Sequence, residues 1–233
     1  MSVPELSIIV LAYDEQENVG PVLGELRGWL QTHEPASEVV LVDDGSTDGT
    51  AEAAAAALAG FPHRIERHAR NRGMGAALKT GVRAARGEWV TFLPADGQIA
   101  PEAVGALRAA ARRERADVVL SVYDHRDDGL HRRVLSFGVR ALILLVHGVR
   151  MRSDGPYLFR RSSFDPDRLE PDTFFLNFEF PIRVLAAEVP VATVTIACRP
   201  RRAGHSKSTG LKRVLGVARD LIDLKRRRLR EGA

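Results

Sequence analysis

The 233-residue chain contains one cysteine, Cys198. That excludes an internal disulfide framework and suits a reducing compartment. Aromatic residues are scarce, at 6%. They do not interleave with the arginine clusters, so the stacking platforms of nucleic-acid binders are missing and no nucleic-acid partner is expected. No run approaches the roughly 18 apolar residues of a membrane-spanning helix. There is no G-x-S-x-G elbow for a serine hydrolase and no Cys/His cluster for zinc chemistry. The opening stretch, MSVPELSIIVLAY, lacks a basic leader segment and reads as a first strand. What is present is an ordinary globular composition, 45% hydrophobic and 27% charged. The net charge of +4 is modest, but Arg and Lys crowd residues 199–213 and 225–230. Such clusters meet phosphates or anionic lipid, or form a solvated face.

The first half alternates two periodicities. Runs rich in Val, Ile and Leu predict strands at Leu6–Ala12, Glu38–Val42, Ile65–His68, Glu88–Leu93 and Asp117–Val122. Helical spacing between them predicts helices over Asn18–His33, Thr47–Leu58, Gly75–Ala85 and Pro101–Arg115. The second half is less regular. It offers a helix at His131–His147, strands at Gly155–Phe159 and Val189–Ala197, and an amphipathic helix at Leu211–Leu224. Strands separated by helices imply an α/β fold with a mostly parallel central sheet flanked by helices. The expected organisation is one domain over residues 1–210 and a C-terminal amphipathic basic helix over 211–233. Ligands of such sheets bind beyond the carboxyl ends of the strands.

Polar clusters follow those ends. Tyr13-Asp14-Glu15 follows the first strand. "VDDGSTDGT", residues 42–50, follows the second, with Asp43 and Asp44 at the strand end, Gly45 for a tight turn and Ser46 to Asp48 as caps. Two adjacent acids exceed what capping needs, which singles out Asp44. "RNRGMGAAL", residues 70–78, is a partial dinucleotide fingerprint without its third glycine. "WVTFLPADGQ" ends a strand at Pro94 and presents Asp96 and the Gln98 carbonyl, oxygen ligands of the kind Mg²⁺ or Mn²⁺ takes.

In this order the clusters resemble family-2 glycosyltransferases of the GT-A, Rossmann-like nucleotide-diphospho-sugar transferase fold, in their dolichol-phosphate mannosyltransferase-like branch. The late segment "RPRRAGHSKST" fits that branch's R-x-x-G-x-S-K through Arg201, Gly204, Ser206 and Lys207. The resemblance runs from Leu6 to about Gly210 and implies an inverting hexosyltransferase. It implies that Leu11, Tyr13, Glu15, Val42, Asp44 and Ala95 surround the donor nucleotide, a GDP- or UDP-sugar. Asp96 and Gln98 would hold Mg²⁺ or Mn²⁺ and the diphosphate. Arg201, Ser206 and Lys207 would contact phosphate, with Asp96, Arg201 and Lys207 in the catalytic set. The physics agrees: a departing nucleoside diphosphate gains negative charge, which cations stabilise best where water is excluded.

Two positions depart from the pattern. Pro94 stands where the family writes the first Asp of Asp-x-Asp, and Tyr123 stands where the lipid-phosphate branch often has Arg. Arg126, Arg132 or Arg133 are candidates to replace it. Glu179, in "FFLNFEFPI", is the candidate general base, with Asp154 behind it. Three readings stay open. One is transfer to a polyprenyl phosphate by a cytoplasmic protein peripheral to the inner face of a membrane. Another is transfer to a soluble hydroxyl, which needs the base. The third is a nucleotide-sugar-binding protein without transfer.

Overall fold

The computed structural model describes residues 3–124, 130–200 and 211–231. Among these residues seven strands form one sheet: Leu6–Ala12 (β1), Ser37–Asp43 (β2), His63–Arg67 (β3), Trp89–Pro94 (β4), Val118–Tyr123 (β5), Leu158–Arg160 (β6) and Val191–Ile196 (β7). Their order is β3-β2-β1-β4-β6-β5-β7. All pairings are parallel except those of β6, which runs antiparallel between β4 and β5. The strand expected at Gly155–Phe159 is therefore present, shifted and short. Its reversal follows from its approach, directly after a helix and loop that return the chain from the carboxyl edge.

The described residues form seven α-helices: Gln16–His33 (α1), Thr50–Ala57 (α2), Met74–Ala84 (α3), Glu102–Glu114 (α4), Leu130–His147 (α5), Leu176–Ala186 (α6) and Leu211–Glu231 (α7). β2, with sequence SEVVLVD, is buried at every position, as a parallel strand covered on both faces must be. On one face, Val19, Leu23, Leu26 and Leu30 of α1 recur at helical spacing. They pack with Leu107 and Ala110 of α4 over Ile8, Val10 and Leu41. On the other, Leu78 and Val82 of α3 and Phe180 of α6 pack over Ile9, Val40 and Phe92.

Five aromatics, Phe92, Tyr157, Phe159, Phe164 and Phe180, pack together on that second face. Tyr157 lies edge-on to Phe92 at 4.8 Å and stacks on Phe180 at 5.2 Å, and Phe180 meets Phe164 at 4.9 Å. Each such pair adds about 0.5–1.5 kcal/mol beyond area burial, which fastens α6 to the sheet. A third cluster joins Ile143 of α5, Phe175 and Ile182 near and on α6, and Leu221 and Leu224 of α7. The basic helix thus continues to Glu231 and packs on the domain through its apolar stripe.

α3 crosses β1 at Gly81, where an added Cβ would lie 2.4 Å from the Ile9 Cγ2 in the closed core. Close-packed interiors resist such overpacking. Gly81→Ala is predicted to lower unfolding free energy by about 1–3 kcal/mol. The midpoint of urea unfolding measures it.

Candidate active site

Register decides which side chains share an edge. Ala12 of β1 pairs with Asp43 of β2, and Leu11 pairs with both Val42 and Pro94. The three strands therefore end level. The carbonyls of β1 then hold both neighbouring turns: Asp44 N–H donates to the Ala12 oxygen at 2.9 Å, and Ala95 N–H to the Leu11 oxygen at 3.0 Å. Tyr13, Asp44 and Asp96 consequently emerge along one carboxyl edge.

The first two turns are laced together. Asp14, in the left-handed region at φ 49°, donates its N–H to Ser46 Oγ, and its Oδ1 accepts from the Thr47 N–H, both at 2.9 Å. The Glu15 N–H donates to Thr50 Oγ1 at 2.9 Å, while Glu15 Oε2 accepts from Asn18 Nδ2 at 2.6 Å. The Asp14 carboxylate, first, and then desolvation push the Tyr13 hydroxyl pKa up, so this half-buried phenol stays a donor. Leu11 is half-buried beneath it. Val42 is wholly buried in the α3-side core, below the edge that the resemblance assigned it to line.

Asp44 is buried, and its carboxylate is filled by protein donors. The Nδ1–H of His68 reaches Oδ1 at 2.6 Å, the Arg72 amide reaches Oδ1 at 2.9 Å, and the Gly73 amide reaches Oδ2 at 2.8 Å. A carboxylate only accepts, so His68 carries its proton on Nδ1, which leaves Nε2 to the Thr80 hydroxyl at 2.9 Å. Asp44 thereby folds the 68–73 loop over the end of β2. Gly45 permits the approach: at φ 79°, a Cβ there would lie 2.3 Å from the Arg70 carbonyl carbon. His68, Arg72 and Gly73 were not read from the sequence as partners of Asp44. The signal available was the RNRGMG stretch itself, whose first glycine, Gly73, takes φ 94°.

The next strand end carries Asp96, half-buried, whose Oδ1 accepts from the Gln98 amide at 3.1 Å. Ala95 beside it is buried. The Gln98 carbonyl accepts from the Arg199 N–H at 2.8 Å, and Arg199 Nη1 binds Glu25 Oε1 at 2.6 Å. The chain leaving β7 is thus tied to the Asp96 turn just before residue 201. Arg201, Ser206 and Lys207 lie outside the described residues. Among the described residues no group of three or more His, Cys, Asp or Glu side chains gathers as a metal cage. Asp96 and Gln98 nevertheless supply a carboxylate and an amide oxygen, a donor set that fits Mg²⁺ or Mn²⁺ when substrate phosphates and water complete the shell. Pro94, the last residue of β4, is compatible with a strand end, where a missing N–H costs no ladder bond.

The base candidates stand elsewhere. Glu179 lies on α6, fully buried. Its Oε1 accepts from Arg183 Nε at 2.8 Å and its Oε2 from Arg227 Nη2 of α7 at 2.7 Å. Arg227 also pairs with Glu170. Asp154 accepts from Arg140 Nη2 at 2.7 and 2.8 Å, and its amide donates to the Ser121 carbonyl near the end of β5 at 2.9 Å. Arg140, which the sequence did not single out, is the described guanidinium at that strand end. Arg126 is outside the described residues, and the Arg132 and Arg133 side chains are likewise not described.

A mostly parallel sheet with acids levelled along its carboxyl edge fits the GT-A class of nucleotide-diphospho-sugar transferase folds. The family model of Glycosyl transferase family 2 matches residues 7–168, and the chain belongs to that family, which makes it a glycosyltransferase. It is 28% identical to a dolichol-phosphate mannosyltransferase of Mycosarcoma maydis, over 97% of this chain and 80% of that protein. It is 28% identical to a dodecaprenyl-phosphate galacturonate synthase of Rhizobium johnstonii, over 94% and 66%. It is 32% identical to an undecaprenyl-phosphate 4-deoxy-4-formamido-L-arabinose transferase of Yersinia enterocolitica, over 94% and 67%. Among solved structures, glucosyl-3-phosphoglycerate synthase from Mycobacterium tuberculosis, with Mn²⁺, UDP-glucose and phosphoglyceric acid, has a TM-score of 0.71 at 21% identity. The match covers 95% of this chain and 78% of that one.

Burial, opposed by Arg183 and Arg227, raises the Glu179 pKa above the ordinary 4.5. The folded state therefore holds this proton more tightly than the unfolded chain does. The stability it contributes is fully present below 4.5 and is lost as pH rises through the folded pKa. Carboxyl chemical shifts should show Glu179 titrating above the exposed glutamates, and Glu179→Gln should flatten the stability curve in that window.

Proposed function

We propose that this chain transfers a sugar from a GDP- or UDP-sugar to a polyprenyl phosphate at a membrane surface. The levelled edge carrying Tyr13, Asp44 and Asp96, with the β7 exit tied to Gln98, is the observation that supports it. The Tyr13 hydroxyl and the loop that Asp44 pins would bound the donor nucleotide. A divalent cation held by Asp96 and Gln98 would neutralise charge growing on the nucleoside diphosphate. The Arg199 tether holds the described chain at the Asp96 turn, and the resemblance assigns the cations Arg201 and Lys207 to the same charge. All three relatives are named for polyprenyl-phosphate or dolichol-phosphate substrates.

The acceptor follows from the acids. A phosphate oxygen is already anionic and attacks without a base, whereas a hydroxyl must lose a proton. Glu179 is locked between two guanidiniums and Asp154 is held by Arg140, an arrangement that suits structure better than proton abstraction. The helices suit a lipid acceptor. α5 exposes Phe137 and Leu145, and α7 exposes Ile222 and Leu229 among its lysines and arginines. No helix among the described residues is long and apolar enough to cross a membrane. Such a pair would lie in the interface, apolar groups in the acyl boundary and cations at anionic headgroups.

The test is turnover of GDP- and UDP-sugars with undecaprenyl phosphate in detergent and Mn²⁺. Product should form, vanish on chelation, and fall about 100-fold or more in Asp96→Asn. Glu179→Gln should escape the about 10²–10⁴-fold loss that removal of a general base causes. Transfer only to soluble hydroxyls, with collapse in Glu179→Gln, would reverse the acceptor assignment.

A further inference from the structure

We propose that His147 is a proton-sensitive latch that holds the basic end of α7 against α5 and loosens it when the ring is protonated. His147 is the last residue of α5 and is only 7% exposed. Both of its ring nitrogens meet α7. Nε2 lies 3.0 Å from the Leu221 carbonyl oxygen, and Nδ1 lies 3.3 Å from Arg228 Nη1. A carbonyl only accepts and a guanidinium only donates. Nε2 therefore carries the proton and Nδ1 offers its lone pair to Arg228. Only the neutral ring satisfies both contacts.

Protonation keeps the first contact and inverts the second. An N–H then points at Arg228 where a lone pair stood, and two cations face each other at a buried position. The charged groups that act on the ring from α7, Arg228 and Lys225, are both cations and do not relieve this. On α6, which also packs on α5, Glu179 has its oxygens taken by Arg183 and Arg227. On α5 itself, Arg140 is paired with Asp154. Burial first, then Arg228 and Lys225, outweigh the bond to Leu221 and hold the His147 pKa below the ordinary 6.5. The latch is thus closed above 6.5. The stability it contributes is lost as pH falls below that value, because the unlatched chain takes up the proton first.

The segment at stake is the run from Lys225 to Arg230. Among the described residues, none of α7 beyond Leu224 joins a buried apolar cluster. Polar contacts hold that end, those of Arg227 with Glu170 and Glu179 and of Arg228 with His147 among them. A contact that fails on protonation therefore loosens the last turns of the helix and leaves the Leu221 and Leu224 anchor in place. Glu179 responds to pH with the opposite sign, so global unfolding mixes the two groups and a local measurement is needed to separate them.

Amide hydrogen exchange of the full chain, taken at about pH 7.5 and 5.5 and corrected for intrinsic rates, is that measurement. Protection over residues 225–231 should fall several-fold at the lower pH while that of β1 is unchanged. In His147→Gln, whose amide supplies a donor and an acceptor but takes up no proton, the step should vanish. Equal protection of the wild-type segment at both pH values overturns the latch. A step that persists in His147→Gln belongs to another group and also overturns it. Ring-nitrogen NMR shifts of the unsubstituted protein give a second reading, should the variant not fold. They should show the Nε2–H tautomer and a titration midpoint below 6.5. The Nδ1–H tautomer, or a midpoint at or above that value, overturns the proposal.

Discussion

The parallel register of β2, β1 and β4 is the constraint on which everything else rests. Side chains alternate along a strand, so a one-residue slip would turn each strand-end acid to the other face of the sheet. Here the slip is blocked twice. Ile8, Ile9 and Val10 of β1 are buried on alternating faces, so no other register satisfies both cores. The last β1 carbonyls then capture the first amides of the turns after β2 and β4. Hydrophobic packing sets the register, and backbone hydrogen bonds convert it into a level edge of polar turns.

From that edge the structure spreads outward through one carboxylate. Asp44 gathers His68, Arg72 and Gly73, and the gathered loop rests on the segment before α6. A Cβ on Gly73 would lie 2.7 Å from the Asp172 carbonyl oxygen. Lys79 Nζ binds the Leu169 carbonyl at 3.1 Å and Asp172 Oδ1 at 2.5 Å. Glu170, in the same segment, pairs with Arg227 of α7. The carboxyl edge and the basic helix are therefore joined through residues 169–173 by short polar contacts. A displacement of α7 has a physical route to the loop that Asp44 holds.

The alternating half of the fold was legible in the sequence because each element carries a clean period. β1 and α1 match their expected spans closely, since continuous Val/Ile runs and an i, i+3, i+4 stripe have few competing readings. α6 was not legible. Its residues, LNFEFPIRVLA, mix β-favouring phenylalanines with Pro181, and only tertiary packing against Tyr157 and Phe164 makes them a helix. β6 is short for a related reason: three residues, of which Leu158 and Phe159 pair on both sides and Arg160 with Trp89 alone, give a weak local signal. At the site, the acids were visible as chemistry, but their partners were not. Nothing local says that Asp44 spends its lone pairs on His68 and two amides, or that Glu179, beside its i+4 neighbour Arg183, also meets Arg227, since those contacts arise only when distant segments meet.

The central claim is that the turns after β1, β2 and β4 serve one metal–diphosphate donor. Paramagnetic broadening of backbone amide resonances by Mn²⁺ with UDP or GDP tests it most directly. Broadening should centre on the Asp96–Gln98 turn, extend to Tyr13 and Asp44, and spare Trp89 and Arg115 at the opposite edge. Broadening centred away from these three turns, or none with any nucleoside diphosphate, would contradict it.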